Sequence, residues 1–412
     1  MDFKEEALQY HREHNGILAV SSKVKLTNRQ DLSLAYTPGV AEPCKVIKEE
    51  PDQSFFLTCR GNMVAVVSDG TRVLGLGDIG AAAAMPVMEG KSVLFKSFAD
   101  VDAVPICLDT KDPEEIIKTV KYLQPTFAGI NLEDFSSPKC YDIEDRLKEI
   151  MDIPVFHDDQ HGTAFAILAG VVGALRLVKK DLKTAKIVVN GCGAAGSATA
   201  RLLVSMGAEN VLSVETCGIL YDGIDAPLNR VQQEIAEKTN KNKIKGKLAD
   251  AAKDADVLIG LSGPRMFSKE LMATMNKDAI VFGCANPVPE IVYEEAKEAG
   301  VKVAGTGLSV HPNQINNVTV FPGIFRGALD VQARQVTEEM KVAAVYALVD
   351  LIKDEELRED YVVADAFDPR VAPAVAAAVA KVAIEQGVAR RKADPQEIYN
   401  STLARVKKLQ GS

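Results

Sequence analysis

From Met63 onward, short apolar runs alternate with stretches whose apolar residues recur every three to four positions, the signature of strands separated by amphipathic helices. Met63 to Val67, Ala103 to Leu108, Thr126 to Leu132 and Pro154 to Phe156 read as strands. Between them, Asp112-Pro113-Glu114-Glu115 supplies an N-cap, a first-turn proline and acids favoured by the helix dipole. Ile116, Ile117, Val120 and Leu123 then fall on one helical face. Ser137-Pro138 opens a further helix that runs to Ile150. The turn signal Asp69-Gly70 predicts a second strand carrying Arg72, and Ser92 to Phe95 reads as a buried strand with Lys91 at its entrance. Upstream lie a charged amino-terminal helix and an alternating run, Asp31 to Val40, that breaks at Pro38-Gly39 and leaves Tyr36 just before the turn.

The second half repeats the alternation. Gly162 to Val178 is a long apolar helix, and strands are expected at Ile187 to Asn190, Val211 to Val214, Val257 to Leu261, Ala279 to Phe282 and Val301 to Ala304. Gly191-Cys192-Gly193-Ala194-Ala195-Gly196 follows the first of these and opens a helix, Ser197 to Met206, while the next strand ends in Glu215. That context makes the glycine turn a dinucleotide fingerprint, because glycines let backbone amides approach a pyrophosphate at a helix N-terminus. Glu215 is placed to accept from a ribose hydroxyl and to repel a 2′-phosphate, which favours NAD over NADP. An earlier match, Gly75-Leu76-Gly77-Asp78-Ile79-Gly80, comes out of a hairpin and is followed by Pro86, so it reads as a tight turn that sets Arg72 and backbone amides beside a small anion.

The predicted fold class is therefore α/β with two domains: a smaller amino-terminal unit, 1–160, and a Rossmann-type doubly wound parallel sheet with a carboxy-terminal helical segment, 161–387. Gln335 to Ile352 and Ala372 to Gln386 supply those helices, the latter so rich in alanine that it must pack closely. The remainder, 388–412 with Arg390-Arg391-Lys392, reads as a solvated tail. A length of 412 residues agrees with more than one core.

Net charge of −9 argues against nucleic acid or an anionic membrane as the main partner. Met1 to Glu6 lacks the apolar core of a signal peptide, and the purest apolar run, Ala164 to Leu175, is too short to span a bilayer. Seven cysteines scattered from Cys44 to Cys284, none spaced C-x-x-C, suit a reducing compartment rather than a disulfide framework or structural zinc. A cytoplasmic chain is expected.

Helix-linked strands are parallel and deliver their carboxyl ends to one sheet edge, so Glu133, Asp134, Asp158 and Asp159 should converge. Four carboxylates need a counter-charge, and hard oxygen ligands suit Mg²⁺ or Mn²⁺. The pair His157 and His161 resembles half a zinc protease motif, yet Asp158 stands where that motif needs glutamate. Farther on, Asn286-Pro287, Gly305-Thr306-Gly307 and the run His311 to Asn317 follow strand ends. Their amides could orient a carboxylate or a nicotinamide, or serve only as turn chemistry.

Taken together, Ser33 to Val40, Leu74 to Gly80, Ile130 to Phe135, the Asp158-Asp159 stretch and Phe321 to Gly327 resemble the malic enzyme family, most of all its short prokaryotic form. The resemblance covers about residues 15 to 385. It implies oxidative decarboxylation of (S)-malate to pyruvate and CO₂, with NAD or NADP and Mg²⁺ or Mn²⁺, in a homodimer. It further implies Glu133, Asp134 and Asp159 as metal ligands, Arg72 and Asn317 on the malate carboxylates, and Asn286 between substrate and nicotinamide. Lys91, aided by Asp158, matches the family's general base, and Tyr36 its general acid. Leu308 and Val310 replace an arginine and an aspartate of the commoner pattern, and Glu215-Thr216 an aspartate-arginine pair, which bears on cofactor choice. Decarboxylation without net redox, of oxaloacetate or in a malolactic conversion, is the alternative activity. A non-catalytic NAD sensor is the alternative of another class.

Overall fold

A computed structural model describes residues 3–411, so Met1 and Asp2 of the amino-terminal stretch lie outside the described residues. Four parallel strands form the first sheet: β1 (Met63–Ser68), β2 (Asp102–Cys107), β3 (Gly129–Leu132) and β4 (Val155–His157), in the order β2-β1-β3-β4. Leu132 on β3 pairs with His157 on β4, so the residues that follow, Glu133 and Asp158, leave the sheet side by side. That register is what makes the acidic tips converge.

Two expectations fail in this half. Lys91 stands inside a helix, Ala81–Ala99, that runs unbroken through Pro86, and not at the mouth of a strand. Its buried positions, Ala84, Met88, Lys91, Ser92, Phe95, Phe98 and Ala99, recur at helical spacing, and that period extends beyond the four-residue window that looked like a strand. Arg72 likewise has no strand. Ile79 and Gly80 both donate to Gly70 O, folding the first glycine run back on the Asp69-Gly70 turn as a knuckle, with only an isolated bridge between Val73 and Gly77.

The second sheet has six strands: β5 (Lys186–Asn190), β6 (Asn210–Glu215), β7 (Gly218–Ile219), β8 (Val257–Gly260), β9 (Ile280–Gly283) and β10 (Val303–Thr306). Their order is β10-β9-β8-β5-β6-β7, all parallel except the short β7 hairpin on β6. The order reverses direction at β5, where β6 lies on one side and β8 on the other, and a crevice opens at such a switch point. The helix expected from Gly162 starts four residues earlier and spans Asp158–Val178, so both acids sit in its first turn. By length and apolarity alone this helix could cross a membrane, which corrects the shorter run predicted; most of it is buried in the fold.

After β10 the chain crosses back. The helix Phe321–Asp330 lays Phe321 and Phe325 against Phe95, with ring centroids 4.7 and 5.2 Å apart. The alanine-rich helix Val371–Glu385 packs on it so closely that a Cβ on Gly327 would fall 2.4 Å from Ala376 O. The 388–412 segment is no tail. Arg390, almost fully buried, bonds to Gln332 O and Asp152, and the helix Pro395–Gln410, capped by Asp394, buries Ile398, Thr402 and Val406. At the other end, the three helices Phe3–His14, Arg29–Ala35 and Ala41–Glu49 bury no residue at all. The alternating run before Tyr36 belongs to the second of them.

Candidate active site

At the tips of β3 and β4, Glu133, Asp134 and Asp159 bring one carboxylate oxygen each within 4.8 Å of one another. Asp134 adopts a left-handed backbone (φ 59°), its N–H donating to Asp159 Oδ2 at 2.8 Å and its carbonyl accepting from Arg72 N at 2.9 Å. Burial, then the neighbouring acids, raises Asp134 to about 9 and Asp159 to about 6. Glu133 is raised to about 7 by burial, partly opposed by Lys91. Asp134 Oδ2 is buried without a hydrogen-bond partner. Two buried carboxylates and the partly exposed Asp159, all resisting ionisation and leaving a lone pair orphaned on Asp134, fit a hard divalent cation, which would restore their charge.

Asp158 is turned away from that group. Its Oδ2 accepts from Lys91 Nζ at 2.6 Å and from Asn317 Nδ2, while Lys91 Nζ also lies 3.0 Å from Glu133 Oε1 and 4.4 Å from the centroid of the Phe321 ring. Burial pulls the lysine's pKa down, but Asp158 and Glu133 together outweigh it and hold the ammonium form. Lys91 therefore sits between the acid cluster and a carboxylate committed to it.

Neither histidine belongs to the cluster of ligand atoms. His157 is fully buried, neither ring nitrogen has a hydrogen-bond partner although Nδ1 lies 3.8 Å from Asp159 Oδ2, and burial lowers it to about 4. His161 Nε2 bonds Glu144 at 2.9 Å on the far side of the helix, which is incompatible with the half-motif for zinc.

The second glycine turn has the shape its sequence promised. Gly191 has φ 100°, and a Cβ there would fall 2.5 Å from Leu261 O; one on Gly196 would fall 1.7 Å from Gly191 O. Gly193 instead faces open space and starts the helix Ala194–Ser205 with no side-chain cap, leaving first-turn amides for an anion. Glu215 Oε2 accepts from Cys192 N at 3.0 Å, tying the tip of β6 to the turn; Cys192 itself is buried. Those residues fit a dinucleotide.

A cavity of about 820 Å³ joins the two regions. Of the residues singled out from sequence, Arg72, Lys91, Glu133, Asp134, Asp159, Gly193, Ala194, Ala195, Asn286 and Asn317 line it. Gly191, Cys192, Gly196 and Glu215 lie behind its wall as the frame of the turn. Tyr36 is elsewhere, 68% exposed on the uncovered amino-terminal segment.

Two buried acids escaped the sequence reading. Glu290, fully buried, accepts from Ser262 N and Ala285 N, both at 2.9 Å, and so ties together the loops after β8 and β9 that line the cavity. Glu144 accepts from His157 N at 3.2 Å and Gln160 Nε2 at 3.0 Å, bracing the start of the helix that carries Asp158 and Asp159. A signal for Glu144 existed: it falls on the apolar stripe of its helix with Cys140, Ile143 and Leu147.

Comparison with known proteins follows the same lines. Residues 15–148 match the family model for the malic enzyme N-terminal domain and residues 160–384 that for the malic enzyme NAD-binding domain. A bifunctional malic/malolactic enzyme of Bacillus subtilis is 54% identical over 402 residues, covering 98% of both chains. An NAD-dependent malic enzyme of Geobacillus stearothermophilus is 52% identical over 91% of this chain and 78% of its own. The crystal structure of a malic enzyme from Pyrococcus horikoshii superposes with a TM-score of 0.95 at 46% identity, over 99% of this chain and 97% of that one.

Proposed function

The chain belongs to the malic enzyme family, and on that footing we propose how its own residues carry the oxidative decarboxylation of (S)-malate to pyruvate and CO₂ with reduction of NAD(P). The observation that carries the reading is the single cavity onto which the acid cluster, Lys91 and the glycine turn all open.

Bound by Glu133, Asp134 and Asp159, Mg²⁺ or Mn²⁺ would supply Lewis-acid stabilisation of developing negative charge, and a dinucleotide at the glycine turn would accept the hydride. Arg72 and Asn317 hold the two malate carboxylates, and Asn286 separates substrate from nicotinamide. Lys91 accepts the proton of the C2 hydroxyl. A buried amine next to a phenyl ring favours the neutral form, and two carboxylates favour the charged one. The balance moves toward the neutral amine once Glu133 is engaged elsewhere. Asp158 keeps Lys91 aimed and receives its charge when the proton arrives. Tyr36 returns a proton to C3.

An exposed Tyr36 outside its own cavity, on a segment whose three helices bury nothing, supports a homodimer in which one subunit's Tyr36 serves its neighbour's cavity. Glu215, already bonded to the glycine turn, supports NAD over NADP by charge repulsion of a 2′-phosphate. Seven free cysteines support a reducing, cytoplasmic setting.

Malate-dependent NADH formation with Mn²⁺, measured beside NAD-independent pyruvate release from oxaloacetate, tests the reading. Oxaloacetate turnover with no malate-driven NADH would replace it by decarboxylation without net redox. The malolactic half of the Bacillus subtilis relative's name keeps that second reading in view. A silent NAD sensor has no use for a buried lysine aimed by a carboxylate, and binding of NAD without turnover of either acid is the result that would favour it.

A further inference from the structure

A second cavity, of about 380 Å³, lies across the seam between the two sheets, behind the acid cluster. Its walls come from the helices Lys139–Ile150, Asp158–Val178, Ala194–Ser205, Arg230–Lys238 and Glu338–Val349. No residue of the malate reading lines it. Its lining carries five cations, Lys148, Arg201, Arg230, Lys238 and Lys341, against four carboxylates, Glu144, Asp145, Glu234 and Glu338, and Arg201 and Lys238 share Glu234. Lys341 is 3% exposed, yet its ion-pair partner Glu338, 2.5 Å away, has a side chain 62% exposed. Arg201 pairs with Glu234 but keeps a buried Nε without a partner. Lys148 reaches the one fully buried acid, Glu144, at 2.7 Å.

Glu144 already accepts from His157 N, Gln160 Nε2, His161 Nε2 and Lys148 Nζ, so it acts on Lys341 only through space and makes no direct ion pair with it. Burial, with Lys148 adding to it and Glu338 and Glu144 opposing, pushes the Lys341 pKa down. The cations come from three different helices, and a ligand touching all three would hold the seam together. A cavity of this size suits a compact molecule.

We propose that this cavity binds a small dianion, a dicarboxylate or a phosphate monoester, between Lys148, Arg201 and Lys341, and that its occupancy is felt at the catalytic cavity. The link is Glu144. The same carboxylate that would share Lys148 with the ligand braces His157 N and Gln160, on either side of Asp158 and Asp159. Drawing Lys148 toward a ligand changes the charge that Glu144 feels and so the support of that helix start.

Isothermal titration of the full chain with inorganic phosphate and, separately, with succinate tests the site, with sodium chloride at matched ionic strength as the control. Arg201→Gln and the double variant Arg201→Gln/Lys341→Gln are titrated alongside. Saturable binding to the wild type by either probe, weakened at least about tenfold in the double variant, is expected. Succinate that enters only the malate cavity would bind both proteins equally and would overturn the proposal. So would the absence of saturable binding to the wild type at up to about 10 mM of either probe. Binding of phosphate alone narrows the ligand to phosphate esters, and of succinate alone to dicarboxylates. If the double variant does not fold, Arg201→Gln, at a side chain 29% exposed, carries the comparison. The coupling is read as kcat at saturating malate: a change of about twofold or more with phosphate in the wild type and none in the variant supports it, and an unchanged kcat in both removes the link through Glu144.

Discussion

Replacing Lys91 separates its two roles, because the structure gives it both a charge to hold and a proton to move. Asp158 is fully buried and Glu133 nearly so, and Lys91 is paired with each, at 2.6 and 3.0 Å. Lys91→Ala leaves two buried carboxylates facing an empty space, and breaking a buried pair from one side costs about 3–5 kcal/mol. Spread over the unfolding entropy of a chain this long, that is a fall in melting temperature of roughly 4–6 °C. Malate-dependent NADH formation should fall by about 10²–10⁴-fold, the usual worth of a positioned base. Lys91→Arg is the discriminating variant. It keeps the cation beside Asp158 and Glu133, so most of the stability survives, but a guanidinium holds its proton and turnover stays lost. NAD binding, followed by fluorescence, should be nearly unchanged in both. Turnover by Lys91→Arg within tenfold of wild type would remove the residue from proton transfer. A Lys91→Ala protein that melts like wild type would mean the ion pairs carry no weight.

Asp159→Asn should weaken Mn²⁺ binding sharply, measured as free Mn²⁺ by electron paramagnetic resonance; unchanged affinity would undo the ligand assignment. Subunit sharing of Tyr36 predicts complementation: co-expressed Tyr36→Phe and Lys91→Ala chains, each inactive alone, should recover up to about a quarter of wild-type turnover, since half the dimers are mixed and each has one intact site. No recovery in purified mixed dimers would return Tyr36 to its own subunit. Glu144→Gln should cost about 1–3 kcal/mol at neutral pH by weakening a saturated buried acceptor. Glu144 is held well below the usual carboxylate range by His161 and Lys148 against the opposing effect of burial. A depressed folded pKa adds stability above the unfolded value, about 4.3, and loses it as pH falls further, so the gap between variant and wild type should close in acid. A gap as wide at pH 2 as at pH 7 would contradict that origin.

Where the sequence period was long and clean, the fold was legible. The helix after Asp112 and the strands β5, β6, β8 and β9 fall within a residue or two of their expected bounds, because capping residues and a parallel sheet leave little choice. Lys91 was misplaced for the opposite reason. The apolar run Val93, Leu94 and Phe95 after it satisfies a strand, and only the spacing from Ala84 to Ala99 shows a helix. The carboxy-terminal helix was missed because its core contacts are a few apolar residues among charges, and Arg390 looks solvated until Asp152 and Gln332 are brought to it from elsewhere in the chain. Convergence of the acids followed from strand polarity alone. Which acid would turn toward Lys91 did not, since that depends on Asn317, more than 150 residues downstream.

That long-range contact bears on why the site sits where it does. Acids at two adjacent strand tips are mutually repulsive and partly desolvated, so the first sheet gains nothing by holding them together on its own account. Part of the relief is local: Asp158 and Asp159 occupy the first turn of a helix, where the dipole favours negative charge. The rest comes from the chain after β10, where Asn317 donates to Asp158 and Phe321 places its ring beside Lys91. Closing the acid cluster therefore requires the segment that also follows the cofactor sheet. A catalytic lysine whose charge is balanced from one side and whose packing comes from the other cannot be assembled before both sheets are in place. The oxidation chemistry is thereby confined to a chain that already has its dinucleotide turn beside the substrate.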